Sequence, residues 1–164
     1  SLFGAQLAAM LGLPFAFASH FAPAAMDEAM DIYREKFEPS EQSQEPYVML
    51  GYNVCVADTN EEANLLRTSS LQSFVNLRRG VPGKLPPPIK DFEDSLAPAE
   101  KQMLDSMSRC AAVGTPDSVH QQITAFLDET QADELMMVCS IFDHSARLHS
   151  FEMTADIANR IHQS

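Results

Sequence analysis

Apolar positions along the chain switch repeatedly between two periods. Over residues 24–37, Met26, Ala29, Met30, Tyr33 and Phe37 recur at helical spacing and form one stripe, the pattern of an amphipathic helix. Residues 2–11 read as a second helix, rich in good formers such as Ala5, Leu7, Ala8, Ala9 and Met10. It is stopped by Gly12, where a helix end favours glycine. Between the two lies GLPFAFASHFAP. Its residues 15–18 are wholly apolar, too short for a helix and bounded by turn signals, so a buried strand is expected. Residues 47–57, YVMLGYNVCVA, make a nearly continuous apolar run rich in strand formers. Such runs are expected where both faces of a strand are covered, as in parallel sheets. Thr59-Asn60-Glu61-Glu62 has the spacing of a capping box, so a helix is expected from there to residue 79.

The pattern breaks at Gly80. GVPGKLPPPIKDFEDSLAP, residues 80–98, holds five prolines and two glycines. Proline removes backbone donors and opposes helix continuation, so this is an irregular loop, either an active-site lid or a disordered insertion. A short helix follows over 98–109. Gly114-Thr115-Pro116-Asp117 marks the next helix start: Thr115 as cap, Pro116 at the first position, Asp117 against the positive end of the dipole. Val119, Ile123, Phe126 and Leu127 give that helix its apolar face. Residues 135–141, LMMVCSI, read as another buried strand. A last helix over 145–162 carries Leu148, Phe151, Ala155, Ala158 and Ile161 on one side. Met10, Met26, Met30, Met136 and Met137 fall in apolar segments and read as core filler.

The order α-β-α-β-α-loop-α-α-β-α defines a single α/β domain with a parallel sheet. Three strands make a narrow sheet with exposed edges, and a half-built barrel would look like this. Composition narrows the partners. Of 164 residues, 23 are Asp or Glu against 11 Lys or Arg, a net charge of −12. That argues against nucleic acid and against anionic membrane surfaces. There is no apolar run of about 18 residues and no basic region before the first helix, so neither a membrane span nor a signal peptide is read. Cys55, Cys110 and Cys139 are scattered and odd in number, without a CxxC pair. Reduced thiols in a cytoplasmic protein are expected, with no disulfide framework or metal site.

The ordered set SLFGAQLAAMLGLPFAFASHFAP, YREKFEPS, VADTNEEA, VGTPDSV and DELMMVCSIFDHSARLHS resembles the C-terminal part of the bacterial luciferase-like flavin monooxygenases, in their alkanal-monooxygenase-like branch. The resemblance implies an incomplete TIM barrel, with strands six to eight of a (β/α)₈ fold at 15–18, 47–57 and 135–141. The first five strands are absent, and a complete barrel runs to roughly 250 residues. It also implies an enzyme that uses reduced FMN, supplied by a separate flavin reductase, and O2 to oxidise an aldehyde or similar small organic substrate. The alternatives are a deazaflavin-dependent oxidoreductase of the same superfamily, or a non-catalytic flavin-binding half-barrel that self-associates into a homo-oligomer.

Site residues follow from that alignment. A serine at the Ser1 position helps hold the flavin phosphate in the family, and the amides of Leu2, Phe3 and Gly4 at a helix N-terminus suit an anion. Ser1 as a plain N-cap is an equal reading. Ser19 and His20 sit just past strand six, at the rim where such barrels place ligand contacts. His20 would bond a flavin or shuttle a proton, or it would bond a loop carbonyl as a structural histidine. Phe21 would line or close the pocket. Asn53 would bond a neighbouring strand, and Asp58 would belong with the next helix cap. Asp143, His144 and Arg147 follow strand eight, where Arg147 would pair with Asp143 or a phosphate. Arg78, Arg79 and Lys84 open the Pro-rich loop, which in the family covers the flavin site.

Overall fold

A computed structural model describes residues 1–163 of the chain. The elements are α1 (Leu2–Met10), β1 (Phe15–Phe17), α2 (Met26–Glu35), β2 (Val48–Val56), α3 (Asn60–Arg78), α4 (Pro98–Ser108), β3 (Ala111–Gly114), α5 (Pro116–Thr130), β4 (Glu134–Val138) and α6 (His144–Ile161). Two short 3₁₀ turns, Pro23–Ala25 and Phe92–Ser95, lie in the connections.

All four strands are parallel, and β2 is the hub. Phe15 to Phe17 lie beside Val48 to Leu50, while Ala111 to Gly114 lie beside Asn53 to Val56. These two short strands share one edge of β2. β4 runs along the other, with Met49 to Asn53 opposite Glu134 to Val138. This is an α/β arrangement, the C-terminal portion of a (β/α)₈ barrel, with α1, α2, α5 and α6 packed on one face of the sheet and α3 reaching the other.

The alternation inside β2 decides what faces what. Val48, Leu50, Tyr52, Val54 and Val56 are at most 3% exposed and point at the helices. With Phe15, Phe17, Tyr33, Ile123, Phe126 and Ile157 they form the main core. Tyr52 packs on Phe126 at a 4.6 Å centroid distance, and burying side chains of this size contributes roughly 1.5–3 kcal/mol each. Tyr33 stacks on Phe15 at 5.2 Å, donates to the Leu13 carbonyl at 2.8 Å and accepts the Tyr47 amide at 3.0 Å, so it pins the entry to both strands. At Gly12 the chain turns with φ 59°, and a Cβ there would meet the Glu38 carbonyl at 2.5 Å, so only glycine fits.

Several expectations are corrected. Between the two helices expected at 98–109 and from Pro116 lies a strand, β3; four residues ending in a glycine give too short a pattern to register. The last strand is shifted to Glu134–Val138. On α6 the buried stripe is Ser150, Thr154 and Ile157, whereas Leu148 and Phe151 are 49% and 39% exposed. The reason is a close approach: the Ser150 hydroxyl accepts the Val56 amide of β2 at 2.9 Å, which a larger apolar residue would prevent. Met26 and Met30 are core, but Met10 and Met136 are 56% and 51% exposed. Thr115 precedes α5 without a side-chain capping bond. The Pro-rich segment is strapped to α3, since the Gln72 amide donates to the Pro87 carbonyl at 2.9 Å and Thr68 Oγ1 accepts the Ile89 amide at 2.9 Å. Among the described residues, no helix is long and apolar enough to cross a membrane.

Candidate functional site

The face of the sheet turned away from the main core carries small and polar residues of β2: Gly51, Asn53 and Cys55. Where β1 ends, the chain crosses this face. Ser19 is fully buried, and its hydroxyl donates to the Gly51 carbonyl at 2.7 Å. The Asn53 side-chain amide donates to the His20 carbonyl at 2.8 Å. These two bonds clamp the backbone on either side of the His20 side chain. The Nδ1 edge of its imidazole is turned to Gly51, where a Cβ would come within 1.9 Å of Nδ1. That nitrogen is buried and has no hydrogen-bond partner.

A cavity of about 320 Å³ opens beside this imidazole, within the usual range for small-molecule sites. Asn53 and Val138 contribute from the sheet, Leu71 and Phe74 from α3, and Leu85 from the Pro-rich segment. Phe21 lines it too, edge-on to Phe74 at 6.3 Å, and Arg78 lies over the far ring at 5.0 Å. The lining is chiefly apolar. Cys55 is in the wall, but its thiol donates to the Ala63 carbonyl at 3.3 Å and burial pushes its pKa up to about 12. It stays a neutral thiol rather than a nucleophile. Arg67 lines the cavity with its guanidinium bonded to Ser108 at 2.8 Å.

The other expected site residues fall in three places. Ser1 caps α1, its hydroxyl accepting the Gly4 amide at 3.2 Å. The Leu2 and Phe3 amides stand in the first turn, where no helical carbonyl reaches them. Ser19 does not line the cavity; it holds the segment that does. Asp143 caps α6 through the Ala146 amide at 2.8 Å, and Arg147 turns to His144 Nδ1 at 2.8 Å instead of pairing with Asp143. Asp58 does not cap α3, a role Thr59 fills; it faces His149 at 3.4 Å. Arg79 makes a two-pronged pair with Glu100 at 2.7 and 3.0 Å, anchoring the Pro-rich segment's start to α4. Gly51 was missed at the sequence level, although a glycine inside a strand signals close approach of another group.

Parallel strands around a hub, with a cavity on the face opposite the main core, define part of a (β/α)₈ barrel. The profile of the luciferase-like monooxygenase family matches residues 1–134, and the chain belongs to that family. It is 46% identical over 161 residues to an Escherichia coli K12 protein described as a luciferase-like monooxygenase, covering 98% of this chain and 48% of that one. It is 44% identical to the Bacillus subtilis protein YvbT, over 94% of this chain and 46% of the relative. The chain thus spans about half the length of these relatives. Among solved structures, apo-MsnO8 superposes with a TM-score of 0.78 at 30% identity, over 97% of this chain and 48% of the other. The oxygenating constituent of 3,6-diketocamphane monooxygenase from Pseudomonas putida, solved with FMN, shares the fold at a TM-score of 0.57 and 18% identity, over 91% and 43%.

Proposed function

We propose that the chain forms part of a flavin-dependent monooxygenase that uses reduced FMN, delivered by a separate reductase, and O2 to oxidise an aldehyde or similar small organic substrate. The observation that carries this reading is the apolar cavity beside His20, set against the inner face of the sheet and walled by the Pro-rich segment. Family membership and a fold relative solved with FMN support it. The residues fit the cofactor: Ser1 with the free Leu2 and Phe3 amides suits a phosphate, and Gly4 keeps that helix turn open. Ser19 contributes by fixing the segment beside it. When bound, reduced flavin supplies the electrons that activate O2. One oxygen atom enters the substrate, converting an aldehyde to an acid, and the other leaves as water.

The chain's own residues do three things in this reading. Phe21, Phe74 and Leu71 keep the pocket dry, which protects reactive species from hydrolysis. The strapped Pro-rich segment acts as a lid. His20 holds a polar contact at a fixed point. The test is to supply the whole monooxygenase of which this chain forms part with FMN, a flavin reductase, O2 and decanal. Aldehyde-dependent consumption of reduced FMN with formation of decanoic acid is expected; no flavin binding in either redox state would sink the reading.

A second reading is a flavin-binding half-barrel that self-associates. It is favoured by β1 and β4, each of which pairs only with β2 among the described residues and so leaves an outer edge unpaired. Sizing with an FMN titration separates the two, because a stable oligomer that binds FMN without turnover supports only this second reading.

A further inference from the structure

We propose that packing against Gly51 locks His20 in the tautomer with its proton on Nε2, so that it presents a fixed hydrogen-bond donor to the carbonyl oxygen of an otherwise apolar molecule in the cavity. This rests on the reading that the cavity holds the organic substrate, and adds how one polar atom of that substrate is placed.

The argument starts from the two ring edges. Nδ1 faces the Gly51 Cα and is buried with no acceptor in reach. A proton on Nδ1 would be an unpaired buried donor pressed against Cα hydrogens, which is unfavourable. A bare Nδ1 lone pair instead receives a weak C–H contact from the glycine. The neutral ring must therefore carry its proton on Nε2, on the edge away from Gly51, and His20 lines the cavity. Ser19 and Asn53 clamp the backbone on both sides, which fixes the point from which the ring projects.

Arg67 also lines the wall, with one end of its guanidinium bonded to Ser108 at 2.8 Å, and three smaller donors are committed elsewhere. The Asn53 amide is used on the His20 carbonyl, Ser70 donates to the Arg67 carbonyl at 2.8 Å, and the Cys55 thiol donates to Ala63. Ser73 and Ser140 also line the cavity, but as rotatable hydroxyls they fix no direction. The surrounding Leu71, Phe74, Leu85 and Val138 select an apolar body. A neutral ketone or aldehyde with a hydrocarbon chain meets both demands.

Two measurements test this without flavin. Long-range 1H–15N correlation spectra of the labelled chain at mildly alkaline pH read the His20 tautomer directly. A pure Nε2–H pattern is expected, lost in Gly51→Ala because the new methyl displaces the ring. An Nδ1–H ring, or the mixture of a free histidine, overturns the proposal. Binding of 2-nonanone and of nonane is then titrated by the same spectra. His20→Leu should weaken the ketone about 3- to 10-fold and leave nonane within about 2-fold. His20→Gln, which carries an N–H near the Nε2 position, should recover most of the ketone affinity. Equal losses for both probes, no recovery with Gln, or no binding of either probe to the unaltered chain overturns the donor role. If the tautomer and ketone preference hold while the whole monooxygenase neither binds nor consumes FMN, only the flavin reading falls. If turnover is seen and the tautomer is wrong, only this inference does.

Discussion

The two faces of the sheet are made from alternate residues of the same strand, yet they obey different rules. On the helix side, packed by α1, α2, α5 and α6 while α3 lies across the other, Val48, Leu50, Tyr52, Val54 and Val56 are large, apolar and at most 3% exposed. On the opposite side stand Met49, Gly51, Asn53 and Cys55, joined in register by Met136 of β4, which is 51% exposed. The first face gains its stability from area removed from water. The second spends its positions on a cavity, a clamped histidine and a stretch of open surface. The difference teaches that this domain separates folding from function across the thickness of one β-sheet. Substitutions should therefore act on stability on one face, and on ligand placement or on nothing measurable on the other.

The harshest way to break the comparison is Tyr52→Ala. It removes a ring that is 1% exposed and packed on Phe126, and a loss of about 3–5 kcal/mol is expected from urea unfolding monitored by circular dichroism. A loss below about 1 kcal/mol would show that the helix side is not the seat of stability. Ser150→Ala comes next. It leaves the Val56 amide buried without its acceptor, at a cost of about 1–3 kcal/mol. Hydrogen exchange at Val56 should accelerate with it. Unchanged exchange would mean that α6 does not hold β2 through this bond.

How much of this was legible in the sequence depends on where the information lay. The long strand and the helix from Met26 were readable because many side chains repeat one period. The β1 segment was readable from its turn signals. The β3 strand was not, because its four residues owe their conformation to hydrogen bonding with Asn53 to Val56, a tertiary cause. On α6, apolar Leu148 and Phe151 outweighed Ser150 and Thr154 in any hydrophobicity reading, and only the close approach to Val56 reverses that. The site behaved similarly. His20 and Phe21 were visible as a polar interruption and an aromatic at a strand end. The cavity they border was not, since Leu71, Phe74 and Leu85 come from elements brought in from elsewhere in the chain.

A milder probe acts on the solvent side of the helix layer. Arg109 bonds Asp27 of α2 at 2.6 and 2.8 Å and Glu129 of α5 at 2.7 Å, so it joins two helices that cover the core. Its guanidinium holds the Asp27 carboxyl below its usual range, chiefly through the side-chain hydrogen bond. A carboxylate whose folded-state pKa is depressed adds stability that is fully present above its ordinary value, about 4, and is lost as pH falls through the lower folded value. Because these groups are well exposed, the contribution is at most about 1 kcal/mol. Arg109→Ala should lower stability by that amount at pH 7 and flatten its fall below pH 4. An unchanged acid limb in the variant would show that other carboxylates set it.

The smallest expected effect is the most informative about the open face. Met136 is opposite Gly51 in the register and half exposed, while its neighbours Leu135 and Met137 pack on the core. Met136→Thr should change the stability of the isolated chain by no more than about 0.5 kcal/mol, the usual range for surface substitutions. Threonine also suits a strand, so no propensity loss masks the result. The measurement is the urea midpoint at two protein concentrations a hundredfold apart. A cost near 2 kcal/mol that grows with concentration would mean that Met136 is buried in solution against a second copy. The contrast between the faces would then be a property of the lone chain, and the oligomer would carry core on both sides of the sheet.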